Sequence, residues 1–186
     1  MGRRWARLLG VTLSAAMLCL VLCGCHATEP RATTSLEVPR AGNAELVLYI
    51  SDQPYVTAEA AFRAVHLLAN GEPFAGDFAE LRAALESQGL IGSGWGYVPE
   101  QYVKRAAIGY MLCRACRIRT GVNWNLTGLG RYAWRELQYH EIAQGGDENR
   151  LMSGGEFVGT LLRAEEYLVR AGKHDAQPVE LGSPGS

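Results

Sequence analysis

The chain has 186 residues, 48% of them hydrophobic and 20% charged, with 18 basic and 19 acidic side chains. That balance is ordinary for a globular protein. It excludes a basic nucleic-acid binder, because the densest basic cluster, Arg114, Arg117 and Arg119, reads as one solvated helix flank. Arg3, Arg4 and Arg7 precede an uncharged apolar run from Leu8 to Leu22, and small residues follow. The run is too short for a comfortable membrane span, so residues 1–24 are expected to be an export signal.

Leu22-Cys23-Gly24-Cys25 resembles the lipobox of bacterial lipoproteins. The resemblance implies cleavage before Cys25 and a lipid on that residue, which would hold the protein at a membrane surface. Removal of residues 1–24 leaves 15 basic and 19 acidic residues, a net charge of about −4. The expected location is the cell envelope, at the outer membrane or periplasmic face rather than the cytoplasm. His26 at +2 is not the aspartate associated with inner-membrane retention in some bacteria, which tilts the expectation outward. Residues 25–44 are rich in Thr, Ala and Pro and read as a flexible tether. Residues 171–186 read as a disordered tail. The folded domain is expected over 45–170.

Periodicity within that domain is helical; strand alternation is scarce, with Glu45–Ile50 the only candidate and a weak one. A first helix is expected over Thr57–Asn70, with Ala61, Val65 and Leu68 on one stripe, Thr57 as N-cap and Gly71 as stop. Asp77 to Glu80 spells a capping box before a helix that presents Phe78, Leu81 and Leu85 and stops at Gly89. A third helix, about Lys104–Arg117, presents Ile108, Met111, Leu112 and Ala115. A fourth spans about Arg131–His140 with Trp134 and Leu137 inward. The fifth opens on a second capping box, Ser153 to Glu156, and presents Phe157, Leu161, Ala164 and Leu168. The expected fold is all-α: about five helices in one domain.

These helices repeat. The helix starts at Thr57, Lys104 and Ser153 are 47 and 49 residues apart. Leu85 and Leu137 are each followed five residues later by an apolar pair and then by glycines. The stretch from Leu85 to Leu112 is similar to an S-layer homology (SLH) module. Gly89-Leu90-Ile91, Tyr97-Val98-Pro99 and Val103 to Ala107 stand where such modules carry G-(I/L)-(I/V), F-x-P and (I/V)-T-R-A-E. The chain is also similar to bacterial lipoproteins that carry degenerate repeats of this kind. The resemblance implies helix-loop-helix repeats over about residues 52–169. It also implies contact with a wall polysaccharide or peptidoglycan at the T-R-A-E positions, in grooves between repeats. Carried over singly, those positions are incomplete. Thr57 is followed by Ala58 and Ala60; Lys104 and Arg105 are followed by Ala107; Ser153 is followed by Gly154, with Glu156 retained.

The candidate ligand-binding residues are therefore Arg105, Lys104, Glu156 and Thr57, with Trp95 and Tyr97 as sugar-stacking aromatics. Gly92, Gly94 and Gly96 read as turn positions rather than a phosphate loop, since they follow a helix and lack G-x-G-x-x-G or G-K-[ST] spacing. Trp124 lies in a stretch read as a loop, and Trp134 reads as core. Cys113 and Cys116 form a C-x-x-C inside a helix with no second metal-ligand pair, so they read as structural, Cys116 semi-buried and Cys113 more exposed. Of the four histidines, His26 and His174 lie outside the domain, His66 borders an apolar face, and His140-Glu141 lacks a second His. No metal, cofactor or catalytic set is expected. The expected function is non-catalytic tethering or scaffolding in the envelope. The alternatives are a protein-interaction adaptor without glycan binding, and a thiol redox protein using Cys113 and Cys116.

Overall fold

The computed structural model describes residues 30–32, 37–40 and 43–173. The expected export signal and Cys25 lie outside the described residues, as do the residues from His174 onward. The described chain is all-α, one domain of seven helices: α1 (Asn43–Ser51), α2 (Ala58–Asn70), α3 (Phe78–Ser87), α4 (Arg105–Ala115), α5 (Val122–Thr127), α6 (Gly130–Tyr139) and α7 (Gly154–Arg170). No helix among the described residues is long and apolar enough to cross a membrane.

Two helices exceed the sequence expectation. Glu45–Ile50 is helical, not extended: Leu46 and Ile50, four residues apart, are both buried while Leu48 is exposed, which is a helical face. The loop around Trp124 contains α5, a six-residue helix bracketed by Gly121 and Gly128, both at positive φ. The local signals read elsewhere operate. Thr57 accepts a bond from the Ala60 N–H, and the Gly71 N–H closes α2 onto the Leu67 carbonyl. Asp77 and Glu80 complete a reciprocal capping box. At α7 the box is half formed. Ser153 accepts from the Glu156 N–H, but the Glu156 carboxylate is turned to Arg105 instead.

The segments that precede α2, α4 and α7 meet at one end of the domain and close a ring. The first amide of each helix donates to a carbonyl of another segment: Ala58 to Gln101 at 2.8 Å, Arg105 to Arg150 at 3.0 Å, and Gly154 to Gln53 at 3.1 Å. The next amides of α2 and α4 follow suit, Glu59 to Pro99 and Ala106 to Glu148. Helix starts leave orphan N–H groups, and here the neighbouring segment satisfies them. Val56, Val103 and Met152 are buried at the centre, where the Val103 N–H donates to Val56 and the Val56 N–H to Met152, both at 3.0 Å. Short helices of this kind are marginal alone, so the ring makes the three segments interdependent.

The tether reading is corrected for part of its length. Tyr102 N–H donates to the Pro30 carbonyl at 3.0 Å and Ala32 N–H to the Glu100 carbonyl at 2.9 Å, and Val38 is buried. The domain also runs past residue 170: the Lys173 ammonium caps the Cys116 carbonyl at 2.9 Å.

Candidate ligand-binding sites

The residues singled out in the sequence separate into three groups. Arg105 and Glu156 form one. They lie 51 residues apart in sequence, yet the guanidinium grips the carboxylate with two bonds, Nε to Oε1 at 3.0 Å and Nη2 to Oε2 at 2.9 Å. Nη1 also donates to the Asp147 carbonyl at 3.3 Å, and the guanidinium lies 6.0 Å from the Trp134 ring centre. This fork-to-fork pair is charge-assisted and joins the starts of α4 and α7. Arg105 is thus engaged within the protein.

The second group is the remaining helix-start residues set against the T-R-A-E pattern, two of which are small. Ala58 is fully buried. Gly154 carries the Ile50 carbonyl oxygen so close that a Cβ would overlap it, with the Gln53 carbonyl at 2.8 Å from the same point. Neither position has room for an arginine. Thr57 is buried and committed to capping. Lys104 is the N-cap of α4 and makes no side-chain cap bond.

Trp95 and Tyr97 form the third group. Their rings meet edge to face with centroids 5.5 Å apart, Trp95 leans on Tyr110 at 5.2 Å, and Tyr97 meets Phe62 at 6.1 Å. Both remain half-buried and line an open groove of about 490 Å3 with Gln101, Ala106 and Gly130. Of the three turn glycines, Gly94 has the positive φ, +82°. Gly92 is small because the Trp95 indole folds back over it. Gly96 has neither constraint.

Trp124 is not a free loop aromatic. It is buried, and its indole N–H donates to the Ile118 carbonyl at 3.1 Å. Trp134 is core, bonded to the Gly146 carbonyl at 3.2 Å. His66 packs edge-on against Phe74 and donates through Nδ1 to the Glu72 carbonyl at 3.2 Å.

Both cysteines are buried, which corrects the expectation that Cys113 is more exposed; it is 1% exposed. The reason is that α4 is covered on two sides. Gly109 lets the Trp134 backbone of α6 approach within 2.8 Å of where a Cβ would stand, and the Cys113 thiol then donates to the Ala133 carbonyl at 3.3 Å. Burial pushes the Cys116 thiol up to about 12. Burial, reinforced by Cys116 and Glu136, raises Cys113 as well. A reactive thiol requires the opposite shift.

Two polar clusters were not read as clusters from the sequence. Arg63, 2% exposed, donates to Glu59 Oε1 at 2.7 and 3.0 Å, to the Phe74 carbonyl at 2.8 Å and to the Gly76 carbonyl at 3.2 Å. It ties the α2–α3 loop to α2, and the readable signal was a Glu–Arg pair at i, i+4. Thr120 stands between Glu136 and His140. Its hydroxyl donates to Glu136 Oε2 at 2.9 Å, so His140 Nε2, at 2.7 Å, is the donor to Thr120. A nucleophile needs its proton aimed at the base, and this one is aimed at the carboxylate. Among the described residues no cluster of His, Cys, Asp or Glu could hold a metal ion, and no buried side-chain N or O lacks a partner.

No family model matches the chain, and no curated protein or solved structure matches it.

Proposed function

We propose that this chain is a non-catalytic protein of the bacterial cell envelope, held by a lipid on Cys25, whose SLH-like repeat domain contacts wall glycan through Trp95 and Tyr97. One observation carries the reading. The open groove beside the start of α4 joins two aromatic rings to small residues, Ala106 and Gly130, as a sugar face stacking on aromatics needs. The closed ring of helix starts supports the repeat reading, and it puts the T-R-A-E positions where segments meet. Arg105 is then a structural link to Glu156, and glycan recognition falls to the aromatics. A location outside the cytoplasm, at the outer membrane or periplasmic face, belongs to the same proposal.

The test is sedimentation with isolated cell-wall sacculi. The protein is the chain lacking residues 1–24 and carrying Cys25→Ser, so no acyl chain contributes and the described fold is intact. The wild-type domain is expected to co-sediment. Trp95→Ala should weaken binding about tenfold, the loss of one stacking contact of about 1.4 kcal/mol. Absence of wild-type sedimentation defeats the glycan reading. The adaptor reading then takes its place, favoured by an apolar groove between α1, α2 and α7 lined by Leu46, Val47, Leu161 and Leu162. Redox chemistry at Cys113 and Cys116 is disfavoured, because both thiols are buried and burial raises both above the usual thiol range.

A further inference from the structure

Opposite the ring of helix starts, the C-terminal ends of α2, α3, α4 and α5 border one cleft of about 910 Å3. Arg114, Arg117 and Arg119 line it, and no Asp or Glu does. None of the three takes part in a salt bridge among the described residues. Four helix C-termini place at most about −2 charges nearby, at roughly −0.5 each, against three guanidinium groups, so the cleft stays net positive.

The arginines are held in place by the fold. Arg114 lies over the Tyr110 and Trp124 rings, 5.3 Å from each centre. Arg117 has a left-handed backbone, φ +52°, and the Lys173 ammonium pins the preceding carbonyl. Ile118 is buried between Arg117 and Arg119, so the two exposed arginines flank an anchored residue.

An apolar edge adjoins this charge. Val122 is 82% exposed and Leu126 80% exposed. They are four residues apart and share one face of α5, and Leu126 also lines the cleft. Leu129, just beyond α5, is exposed too. Large aliphatic side chains held out beside unpaired arginines fit an interface whose outer layer is anionic and whose inner layer is hydrocarbon.

We propose that this face docks on an anionic membrane surface, with Arg114, Arg117 and Arg119 on headgroup phosphates and Val122 and Leu126 entering the acyl boundary. The proposal goes beyond the glycan reading and requires neither it nor the Cys25 lipid. It is tested by flotation of the same Cys25→Ser chain lacking residues 1–24. Vesicles of phosphatidylcholine with one-third phosphatidylglycerol are compared with phosphatidylcholine alone. Binding is expected to the anionic vesicles and not to the neutral ones. Arg117→Gln with Arg119→Gln should weaken it about 25-fold, at about fivefold per surface arginine. Leu126→Ser should also weaken it while leaving the melting temperature unchanged, since the side chain is exposed. Equal binding to both vesicles, binding to neither, or insensitivity to these substitutions overturns the proposal. So does saturation of the cleft by millimolar glycerol phosphate without vesicle binding, which marks a site for a soluble phosphate ester.

Discussion

Gly154→Ala is expected to destabilise the domain by about 3 kcal/mol, at the upper end of the range for forcing a methyl into a packed site. The expectation runs against helix propensity, since alanine in place of glycine within a helix normally stabilises by about 0.5–1 kcal/mol. Here the new Cβ would overlap the Ile50 carbonyl oxygen, at the point where the Gly154 N–H closes the ring onto Gln53. A carbonyl cannot swing aside as a flexible side chain would, so α1 or α7 must shift. Gly155→Ala is the matched control, one residue further along the same helix with nothing within 4 Å of its Cβ, and it should raise stability slightly. Denaturant unfolding of the two variants checks both signs. Equal effects would mean that Gly154 is not a contact point.

Arg63→Ala is the second large expectation, a loss of about 3–5 kcal/mol, the scale for removing one partner of a buried ion pair. The substitution strands more than Glu59. The carbonyls of Phe74 and Gly76 lose their donor together, and the α2–α3 loop loses its tie to α2. Arg63→Lys should recover only part of the loss, because an ammonium cannot reproduce the planar fork that reaches the carboxylate and both carbonyls. Thermal unfolding measures it. A melting temperature within a degree or two of wild type for Arg63→Ala would show that the cluster contributes little.

Where structure follows from residues near one another in sequence, it was legible beforehand. The Thr57 and Asp77 caps and the Gly71 stop are contacts within a few residues, and α2 and α3 could be read from them. Contacts set by distant partners were hidden. Glu156 and Arg105 were singled out one by one through the resemblance to T-R-A-E positions, but their pairing is tertiary. That pairing also explains why the capping box at Ser153 is half formed. Cys113 was placed toward solvent because one apolar stripe of α4 was visible, whereas α6 covers a second side. Residues 45–50 carry a composition that suits a strand, and only the burial of Leu46 and Ile50 against the rest of the domain selects the helix. The arginines around the end of α4 read as a solvated flank until Ile118 and Trp124 turned inward and made that flank the wall of a cleft.

Two of the three helix starts carry a small residue where the middle one carries Arg105, and the difference has a steric account. Ala58 is fully enclosed and Gly154 lies against backbone, so the helix starts serve ring closure at those sites. The middle start accommodates Arg105, with a carboxylate from another segment opposite it.

The central claim is that three separate helix starts form one closed ring, and amide hydrogen exchange in the native domain tests it most directly. The amides of Ala58, Arg105 and Gly154 each donate to a different segment. A closed ring predicts that all three exchange through one cooperative opening, with free energies within about 1 kcal/mol of one another. Gly154→Ala should then lower the protection of all three together. Rapid exchange at Gly154 while Ala58 and Arg105 stay protected, with Gly154→Ala affecting its own segment alone, would contradict closure and leave an open stack of helices.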